Sequence, residues 1–301
     1  MEIKNIHVEA STYCNARCPL CPRNMYGYNV PGVYPQLHLT VEKFKECLDQ
    51  FPDRTFVYFN GNLGDPMMNP DIVDLTELTK CRTSVTTNGS IGNRDTWIKL
   101  AQQGVEITFS IDGLEDTNHL YRQDVEWSKI MERANWFIDN GGQAVWKWVV
   151  FRHNHQQIDQ ARQLAKQLGF KDFQIVDHGR NYAPVSDKQG NITHWILPHN
   201  ENKGPDPAWL SGRANIKEKV ERYKTDHDNF LNYQNKIYHI SCEHETDNSI
   251  YISADGTISP CCYQGFNLPN RPRTVLNQFN ELKKTWITKN CNKICAENCG
   301  S

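Results

Sequence analysis

The sequence predicts an α/β protein with a parallel sheet and a small cysteine-rich domain at its C-terminal end. Runs rich in β-branched and aromatic residues alternate with helical patterns through residues 1–180, which is typical of a parallel sheet with helices packed outside it. Cysteine placement is the second observation, because three of the eleven cysteines lie in one N-terminal loop and six lie from residue 242 onward.

The first part is expected to contain six strands and five helices. The strands are predicted at residues 3–10, 55–60, 83–87, 106–111, 144–151 and 173–176. The helices are predicted at residues 41–50, 71–80, 95–103, 127–140 and 155–168. Gly104, Gly141 and Gly169 follow three of these helices, where glycine commonly ends a helix. Near the C-terminus, residues 249–253 and 258–262 predict a hairpin, and residues 276–288 predict a helix.

The composition limits the partners and the number of domains. The charges nearly cancel, with 33 basic against 35 acidic residues, so neither a polyanion-binding surface nor a nucleic-acid partner is indicated. No apolar run approaches the ~20 residues of a membrane span, and the polar N-terminus does not resemble a signal peptide. We therefore expect a cytoplasmic protein with a large domain over residues 1–180, a linker or cap over 181–238 and a cysteine-rich domain over 239–301.

The N-terminal cysteines have the spacing Cys-x3-Cys-x2-Cys, with Cys14, Cys18 and Cys21 directly after the first predicted strand. Without an export signal, cysteines indicate metal binding or catalysis rather than disulfides. Three thiolates packed this closely are soft ligands for three irons of a 4Fe-4S cluster, and the fourth iron keeps an open position. The alternatives are a structural zinc knot and reduced surface thiols, although zinc knots normally close with a nearby fourth ligand and none follows before His38.

This loop resembles the signature of radical S-adenosylmethionine (SAM) enzymes, and its continuation through Pro22-Arg23 resembles the branch with an extra C-terminal cluster domain. The resemblance implies that the amino and carboxylate groups of SAM chelate the open iron. It also implies that an electron from the cluster cleaves a carbon–sulfur bond to give a 5'-deoxyadenosyl radical. The six strands suit the partial (β/α)6 TIM-like barrel of that family, with the site at the C-terminal ends of the strands. Leu20 departs from the pattern, since the family usually has an aromatic residue there.

The segment after the second strand, Gly64-Asp65-Pro66, resembles the Gly-Glu-Pro segment that meets the amino group of SAM in this family. Aspartate in place of glutamate keeps the carboxylate but shortens the side chain by a methylene group. Backbone carbonyls of the glycine-rich turn can still accept hydrogen bonds from the ammonium group. An ordinary loop turn is the alternative.

The next strand ends carry further polar residues that match the family pattern. Asn88 lies in a Thr-Asn-Gly segment, and Ser110 and Asp112 lie in Ser-x-Asp-Gly, which the resemblance implies reaches toward SAM or substrate. The resemblance also implies that Arg122 pairs with the carboxylate of SAM, and a guanidinium group can bind a carboxylate in a bidentate manner. Asn154 resembles a further SAM-contacting residue. A turn and a surface cation are the alternatives for these positions.

Substrate-side candidates follow the sixth strand, where Asp177, His178 and Arg180 are expected to point into the barrel mouth. We interpret them as catalytic residues, with a salt-bridged strand end as the alternative. The linker over residues 181–238 contains large apolar residues, so we expect it to be ordered and to close over the mouth.

The C-terminal cysteines indicate a second metal centre. Cys242, Gly256 and Cys261 match the opening half of the SPASM domain that follows many radical SAM barrels. The tail has six cysteines where that domain has seven, so one auxiliary 4Fe-4S cluster, as in the shortened twitch form, is the better interpretation; a four-cysteine zinc ribbon is the alternative. Cys242 and Cys261 are the firmest ligands, and the other two are expected among Cys291, Cys295 and Cys299, with Cys262 as a spare.

The function that this resemblance implies is an oxidoreductase or a peptide- or metabolite-modifying enzyme. Its adenosyl radical abstracts hydrogen from an unidentified substrate, either a peptide or protein or a small molecule. The auxiliary cluster serves electron transfer or substrate ligation, and a flavodoxin- or ferredoxin-type protein donates the electrons. The alternatives are an iron-sulfur electron carrier or redox sensor without radical chemistry, and a zinc-braced binding protein.

Overall fold

The computed structural model describes residues 2–25, 27–29, 35–176, 183–199, 241–262 and Cys295. Its strands are β1 Asn5–Val8, β2 Asn24–Met25, β3 Tyr28–Asn29, β4 Phe56–Asn60, β5 Arg82–Thr87, β6 Glu106–Ser110, β7 Gln143–Val149, β8 Asp172–Val176, β9 Ala183–Ser186, β10 Ile192–Ile196, β11 Ser249–Ile252 and β12 Ile258–Ser259. Its α-helices are α1 Val41–Leu48, α2 Ile72–Leu78, α3 Arg94–Gln102, α4 Asn118–Tyr121, α5 Trp127–Asp139, α6 Ile158–Leu168 and α7 Glu243–Thr246. Short 3-10 helices span Pro66–Met68 and His155–Gln157. Within these ranges no helix is both long and apolar enough to cross a lipid bilayer.

A parallel sheet with helices between its strands confirms the predicted fold class. Strands β1, β4, β5, β6, β7 and β8 are hydrogen-bonded in that order, and every neighbouring pair is parallel. This is the arrangement of a partial (β/α)6 barrel. The six barrel strands and the five barrel helices lie within a few residues of the predicted bounds, and α6 is preceded by a 3-10 turn. The helix predicted at residues 276–288 and residues 200–238 of the predicted linker lie outside the described residues.

The two faces of the sheet differ in polarity because alternate residues of a strand point to opposite sides. Phe59 and Phe109 are fully buried against the helices. The ring centroid of Phe59 lies 5.6 Å from that of Phe44 in α1, and the ring centroid of Phe109 lies 5.4 Å from that of Trp97 in α3. The opposite face is more polar, although it also carries Phe56 and Tyr58, and it lines a cavity of about 330 Å³ beside β1, β4, β5 and β11. The fold therefore places its core under the helices and leaves a polar interior to the barrel.

The C-terminal hairpin belongs to the same sheet as the barrel. Strand β11 pairs in parallel with β1, from Asn5 opposite Ser249 to Val8 opposite Ile252, and β12 pairs antiparallel with β11. The predicted hairpin is present, and it extends the barrel to an eight-stranded sheet. It thereby brings the cysteine-rich end of the chain next to the first barrel strand.

A second hairpin, β9–β10, lies in the segment predicted as a linker. It packs beside the N-terminal cysteine loop, where Arg17 Nη1 donates to the carbonyl oxygen of Ser186 at 3.3 Å. It also contacts α4, with His194 Nε2 2.9 Å from the carbonyl oxygen of Leu120. Pro184 obscured this strand in the sequence, because proline lacks the N–H group that a strand ladder uses.

Candidate functional site

The N-terminal cysteine loop leaves β1 at the C-terminal end of the barrel strands. Cys18 is buried, while Cys14 and Cys21 are half-buried. A backbone hydrogen bond from Cys21 to Cys18 closes the loop at 3.0 Å, and the N–H of Asp65 donates to the carbonyl oxygen of Tyr13 at 2.8 Å. The loop is thus fixed both internally and against the turn that follows β4.

Two side chains direct N–H groups at the sulfur atoms. Asn88 Nδ2 lies 3.8 Å from Cys14 Sγ, and Arg122 Nη1 lies 3.7 Å from Cys18 Sγ. Hydrogen bonds to the sulfurs are among the features that tune a thiolate-bound cluster. These donors come from different strand ends, because Asn88 follows β5 and Arg122 follows α4, which comes after β6.

All three loop thiols have raised pKa values. Burial, followed by the nearby charges of Asp65 and Cys18, raises the pKa of Cys14 to about 12. Burial is also the main cause of the raised pKa of Cys18 and of Cys21. Thiols in this state are protonated at neutral pH, so binding of a metal as thiolates would release protons.

The residues present fit an iron-sulfur cluster. Arg23 donates from Nη2 to the carbonyl oxygen of Ala16, and its Nε is buried without a hydrogen-bond partner in the part of the chain that the structure describes. The charge of Arg23 offsets part of the rise that burial causes in the pKa of each loop cysteine, and so favours the thiolate forms. No three His, Cys, Asp or Glu side chains among the described residues converge on one metal ion, but each thiolate of a 4Fe-4S cluster binds a different iron.

The buried carboxylate of Asp65 accepts hydrogen bonds from neighbouring backbone and side-chain groups on both of its oxygens. Its Oδ1 accepts from the hydroxyl of Thr87 at 2.7 Å and from the N–H of Met67 at 3.0 Å, and its Oδ2 accepts from the N–H of Asn88 at 2.8 Å. Burial raises the pKa of Asp65, and these hydrogen bonds oppose the shift. The side chain therefore caps the 3-10 helix that begins at Pro66 and ties the β4 loop to the end of β5.

Gly64 and Asn88 place the turn against the cysteine loop. A Cβ atom on Gly64 would lie 1.9 Å from the carbonyl oxygen of Ser11, so only glycine fits there. Besides its contact with Cys14, Asn88 Nδ2 donates to Asn15 Oδ1 at 2.9 Å. The structure thus brings Gly64, Asp65 and Asn88 together beside the first cysteine.

Near Cys18, Asp112 and Arg122 form an ion pair in which the Asp112 side chain is fully buried and that of Arg122 is 18% exposed. Arg122 Nε donates to Asp112 Oδ2 at 2.6 Å, and the second oxygen of Asp112 accepts from the N–H of Val149 at 2.6 Å. Burial lowers the pKa of Arg122, but the charges of Asp112 and Cys18 outweigh burial and raise it overall. The carboxylate of Asp112 lies behind Arg122 and orients its terminal nitrogens toward the loop.

Asn154 and Ser110 are also buried near this ion pair. Asn154 is fully buried, and its Nδ2 donates to the carbonyl oxygens of Asp112 and Val149 at 2.8 and 2.9 Å. Ser110 is buried at the last position of β6. Asn154 thus holds two strand ends together, and its direct contact with SAM stays a prediction, as does that of Ser110.

A further buried carboxylate, Glu9, lies directly after β1 below the turn that precedes Asp65. It accepts hydrogen bonds from the N–H groups of Asn62 at 2.7 Å, Leu63 at 3.3 Å and Gly64 at 3.0 Å, and from the hydroxyl of Tyr251 at 3.0 Å. Burial outweighs these hydrogen bonds and raises the pKa of Glu9 to about 7.

The radical SAM superfamily profile matches residues 8–185, which include all the loop cysteines and the strand ends described above. This chain belongs to the radical SAM superfamily. The predicted family is therefore confirmed, and membership implies a 4Fe-4S cluster and SAM as cofactors.

The tungsten-containing aldehyde ferredoxin oxidoreductase cofactor-modifying protein of Pyrococcus furiosus is similar in sequence. It is 28% identical over 116 residues, which cover 37% of this chain and 32% of the relative. The chain thus matches about a third of that curated relative's length.

Two proteins of known structure are similar in fold. SuiB of Streptococcus suis, bound to SAM, has a TM-score of 0.60 at 17% identity, covering 98% of this chain and 68% of SuiB. SuiB bound to precursor peptide SuiA has a TM-score of 0.57 at 17% identity, covering 95% of this chain and 65% of SuiB. The anSMEcpe structure with bound AdoMet and Cp18Cys peptide has a TM-score of 0.52 at 16% identity, covering 86% of this chain and 73% of anSMEcpe. At these identities the likeness shows a shared fold alone.

Sequence reasoning missed several residues that build this radical SAM site. Asn15 and Arg17 match no motif in the sequence. In the structure Asn15 accepts a hydrogen bond from Asn88, and Arg17 Nε forms an ion pair with Asp124 at 2.7 Å. Glu9 was also missed. An acidic residue at the end of an apolar strand could have indicated it, because a buried charge requires partners.

The C-terminal cysteines are described in part. Cys242 is half-buried before α7, Cys261 is buried, Cys262 is half-buried and Cys295 is buried. Burial raises the pKa of Cys242, and the nearby thiol of Cys295 adds to the shift. Five predicted site residues lie outside the described residues, namely Cys291, Cys299, Asp177, His178 and Arg180.

Proposed function

We propose that this chain is an enzyme that reductively cleaves SAM at a 4Fe-4S cluster held by Cys14, Cys18 and Cys21. The observation that carries the proposal is the three-thiol loop at the carboxyl ends of the barrel strands, with Asn88 and Arg122 directing N–H groups at two of its sulfurs. When bound, the cluster supplies the electron that breaks a carbon–sulfur bond of SAM, and the 5'-deoxyadenosyl radical formed abstracts hydrogen from a substrate.

The protein's own contribution is to orient SAM on both sides of the cysteine loop. Both oxygens of Asp65 are occupied by internal donors, so we assign the ammonium group of SAM to backbone carbonyls of the Gly64-Asp65-Pro66 turn. We assign its carboxylate to the terminal nitrogens of Arg122, which Asp112 orients. Asn88, Ser110 and Asn154 complete the proposed binding residues.

We further assign an auxiliary 4Fe-4S cluster to the C-terminal segment, for electron transfer or substrate ligation. Cys242 and Cys261 are its proposed ligands, together with two of Cys291, Cys295 and Cys299. The electrostatic influence of Cys295 on Cys242 supports a shared centre, as does the hairpin that ends next to Cys261.

The proposed substrate is a peptide or a small molecule, approached by Asp177, His178 and Arg180. The SuiA complex of SuiB and the peptide complex of anSMEcpe support a peptide. The curated relative is named for modifying a cofactor, which supports a small molecule. A flavodoxin- or ferredoxin-type donor is proposed to supply the electron.

The test is the release of 5'-deoxyadenosine and methionine from SAM by anaerobically reconstituted, chemically reduced protein. A Cys14→Ala/Cys18→Ala/Cys21→Ala variant should release none. A Cys81→Ala variant, which removes a thiol just before β5, should behave as the parent. The release is measured with and without candidate peptides, since substrate binding can be required for cleavage.

Deuterium-labelled peptides then test the substrate class. Transfer of deuterium into 5'-deoxyadenosine would identify a hydrogen donor, whereas release without transfer would leave the small-molecule class. A protein with its full complement of iron that never cleaves SAM would contradict the proposal and favour an electron carrier.

A further inference from the structure

The buried carboxylate of Glu9 is the partner for the backbone of the turn between β4 and Asp65. Glu9 is 1% exposed, and its two oxygens receive the N–H groups of Asn62, Leu63 and Gly64. Successive N–H groups that converge on one point form an anion-binding nest. In this protein the nest holds a side chain of the protein itself, and that side chain supplies the negative charge that the nest requires.

The turn has little freedom to adopt another shape. A Cβ atom on Gly61 would lie 1.9 Å from the carbonyl oxygen of Gly64, and one on Gly64 would lie equally close to that of Ser11. The backbone is therefore packed against itself on one side and against the start of the cysteine loop on the other. The N–H groups of Asn62, Leu63 and Gly64 point to Glu9, so the carbonyl groups of the same peptide units, those of Gly61, Asn62 and Leu63, point away from it.

Tyr251 of β11 connects this arrangement to the C-terminal hairpin. Its hydroxyl donates to Glu9 Oε2 at 3.0 Å, and its ring, 1% exposed, meets the ring of His7 edge-on at 5.0 Å. A hydrogen bond to a charged acceptor is stronger than a neutral one. The hairpin next to the auxiliary cysteines thus reaches the turn that is proposed to bind the ammonium group of SAM.

From the turn, the contacts continue to the cluster loop. The residue after Gly64 is Asp65, which binds the N–H of Asn88, and Asn88 Nδ2 lies 3.8 Å from Cys14 Sγ. We propose that Glu9 is a positioning residue, which holds the turn in the shape that binds the ammonium group of SAM, and that Tyr251 holds Glu9. This inference rests on the proposed function, because it assumes that the turn is part of a SAM site.

The test measures the dissociation constant of SAM by equilibrium dialysis on anaerobically reconstituted, full-length protein at mildly alkaline pH. The change in the electron paramagnetic resonance (EPR) spectrum of the reduced cluster on SAM addition is a second readout. Glu9→Gln keeps the size of the side chain and removes its charge. It should weaken SAM binding about tenfold and raise the KM for SAM, with kcat at saturating SAM largely retained.

Tyr251→Phe should weaken SAM binding about threefold, because it removes one of the hydrogen bonds to Glu9. If both residues act through that bond, the double variant should bind SAM no more weakly than Glu9→Gln alone. Tyr58→Phe is the matched control, since the Tyr58 ring stacks on the same His7 ring at 4.7 Å, and it should bind SAM as the parent does.

The outcomes separate this inference from the proposed function. A parent protein that binds no SAM would contradict the proposed function itself. A parent that binds SAM and a Glu9→Gln variant with equal iron content and equal affinity would overturn the role of Glu9. If Glu9→Gln fails to fold, equal affinities of Tyr251→Phe and Tyr58→Phe would overturn the inference.

Discussion

The two sides of the cysteine loop hold their carboxylates in different ways. On the β4–β5 side, Glu9 and Asp65 are bound by backbone N–H groups and hydroxyls. On the β6–β7 side, Asp112 is bound by the guanidinium group of Arg122. On one side, the carboxylates of Glu9 and Asp65 are therefore bound mainly by backbone N–H groups. On the other side, the carboxylate of Asp112 binds and orients a cation, Arg122.

This difference gives the barrel mouth a polarity. On the first side, backbone N–H groups bind the carboxylates of Glu9 and Asp65, and the proposed function assigns the ammonium group of SAM to backbone carbonyl groups there. The second side directs a cation to the loop at Cys18, where Arg122 Nη1 lies 3.7 Å from the sulfur. The methionyl end of SAM carries an ammonium and a carboxylate group, and in the proposed function each group meets the side of opposite polarity.

The largest expected effect comes from breaking the ion pair. Arg122→Met leaves Asp112 buried without its cation, so the free energy of unfolding should fall by about 4 kcal/mol. Lys129→Met is the control, because Lys129 pairs with Glu126 on an exposed helix face and its loss should cost under ~0.5 kcal/mol. Urea denaturation of the reconstituted protein measures both. Equal losses would show that Asp112 is held by other contacts.

Glu9 should make stability depend on pH. Its pKa is raised from 4.5 to about 7, so the folded protein binds a proton more tightly than the unfolded chain. Stability should therefore fall by about 3 kcal/mol as the pH rises through that window, and stay level above it.

The difference in unfolding free energy between the parent and Glu9→Gln isolates this effect, because other titrating groups are common to both. Tyr251 is the titratable group that faces Glu9, and its own pKa is raised, so it stays neutral through the window. A difference that does not change between mildly acidic and mildly alkaline pH would contradict the expected titration of Glu9.

A smaller effect is expected at Asp65. Asp65→Asn replaces one of the two acceptor oxygens by an NH2 group. Either the N–H of Asn88, or the Thr87 hydroxyl and the Met67 N–H, would then lose its acceptor. The free energy of unfolding should fall by ~2 kcal/mol. Asp71→Asn, on an exposed residue before α2 without a side-chain cap bond, should change it by less than ~0.5 kcal/mol. Similar changes in unfolding free energy for the two variants would contradict the role of Asp65 in tying the β4 loop to the end of β5.

The barrel was predictable because its signals are local. Several barrel strands alternate in burial and the longer helices have an apolar face, so periodicity places strands such as Glu106–Ser110 close to their observed bounds. The cysteine loop was predictable from its spacing. The C-terminal hairpin was predictable from its turn, but its pairing with β1 was not, because the paired residues are more than two hundred positions apart.

The contacts that shape the site were not predictable for the same reason. Tyr251 and Glu9 meet across 242 positions of sequence, and Arg122 and Cys18 meet across 104. A motif identifies Asp112 as a polar strand end, but only the folded chain shows that it is fully buried behind Arg122. Side-chain roles depend on which strand ends meet, and sequence spacing does not record that.

The most direct test of the central claim is a pulsed EPR measurement on the reduced protein with SAM labelled with a magnetic isotope at its amino nitrogen. A cluster on Cys14, Cys18 and Cys21 that receives SAM at its open iron should show magnetic coupling to that nitrogen. A reduced cluster with full iron content and bound SAM but no such coupling would contradict the assignment of the loop as the SAM-binding centre.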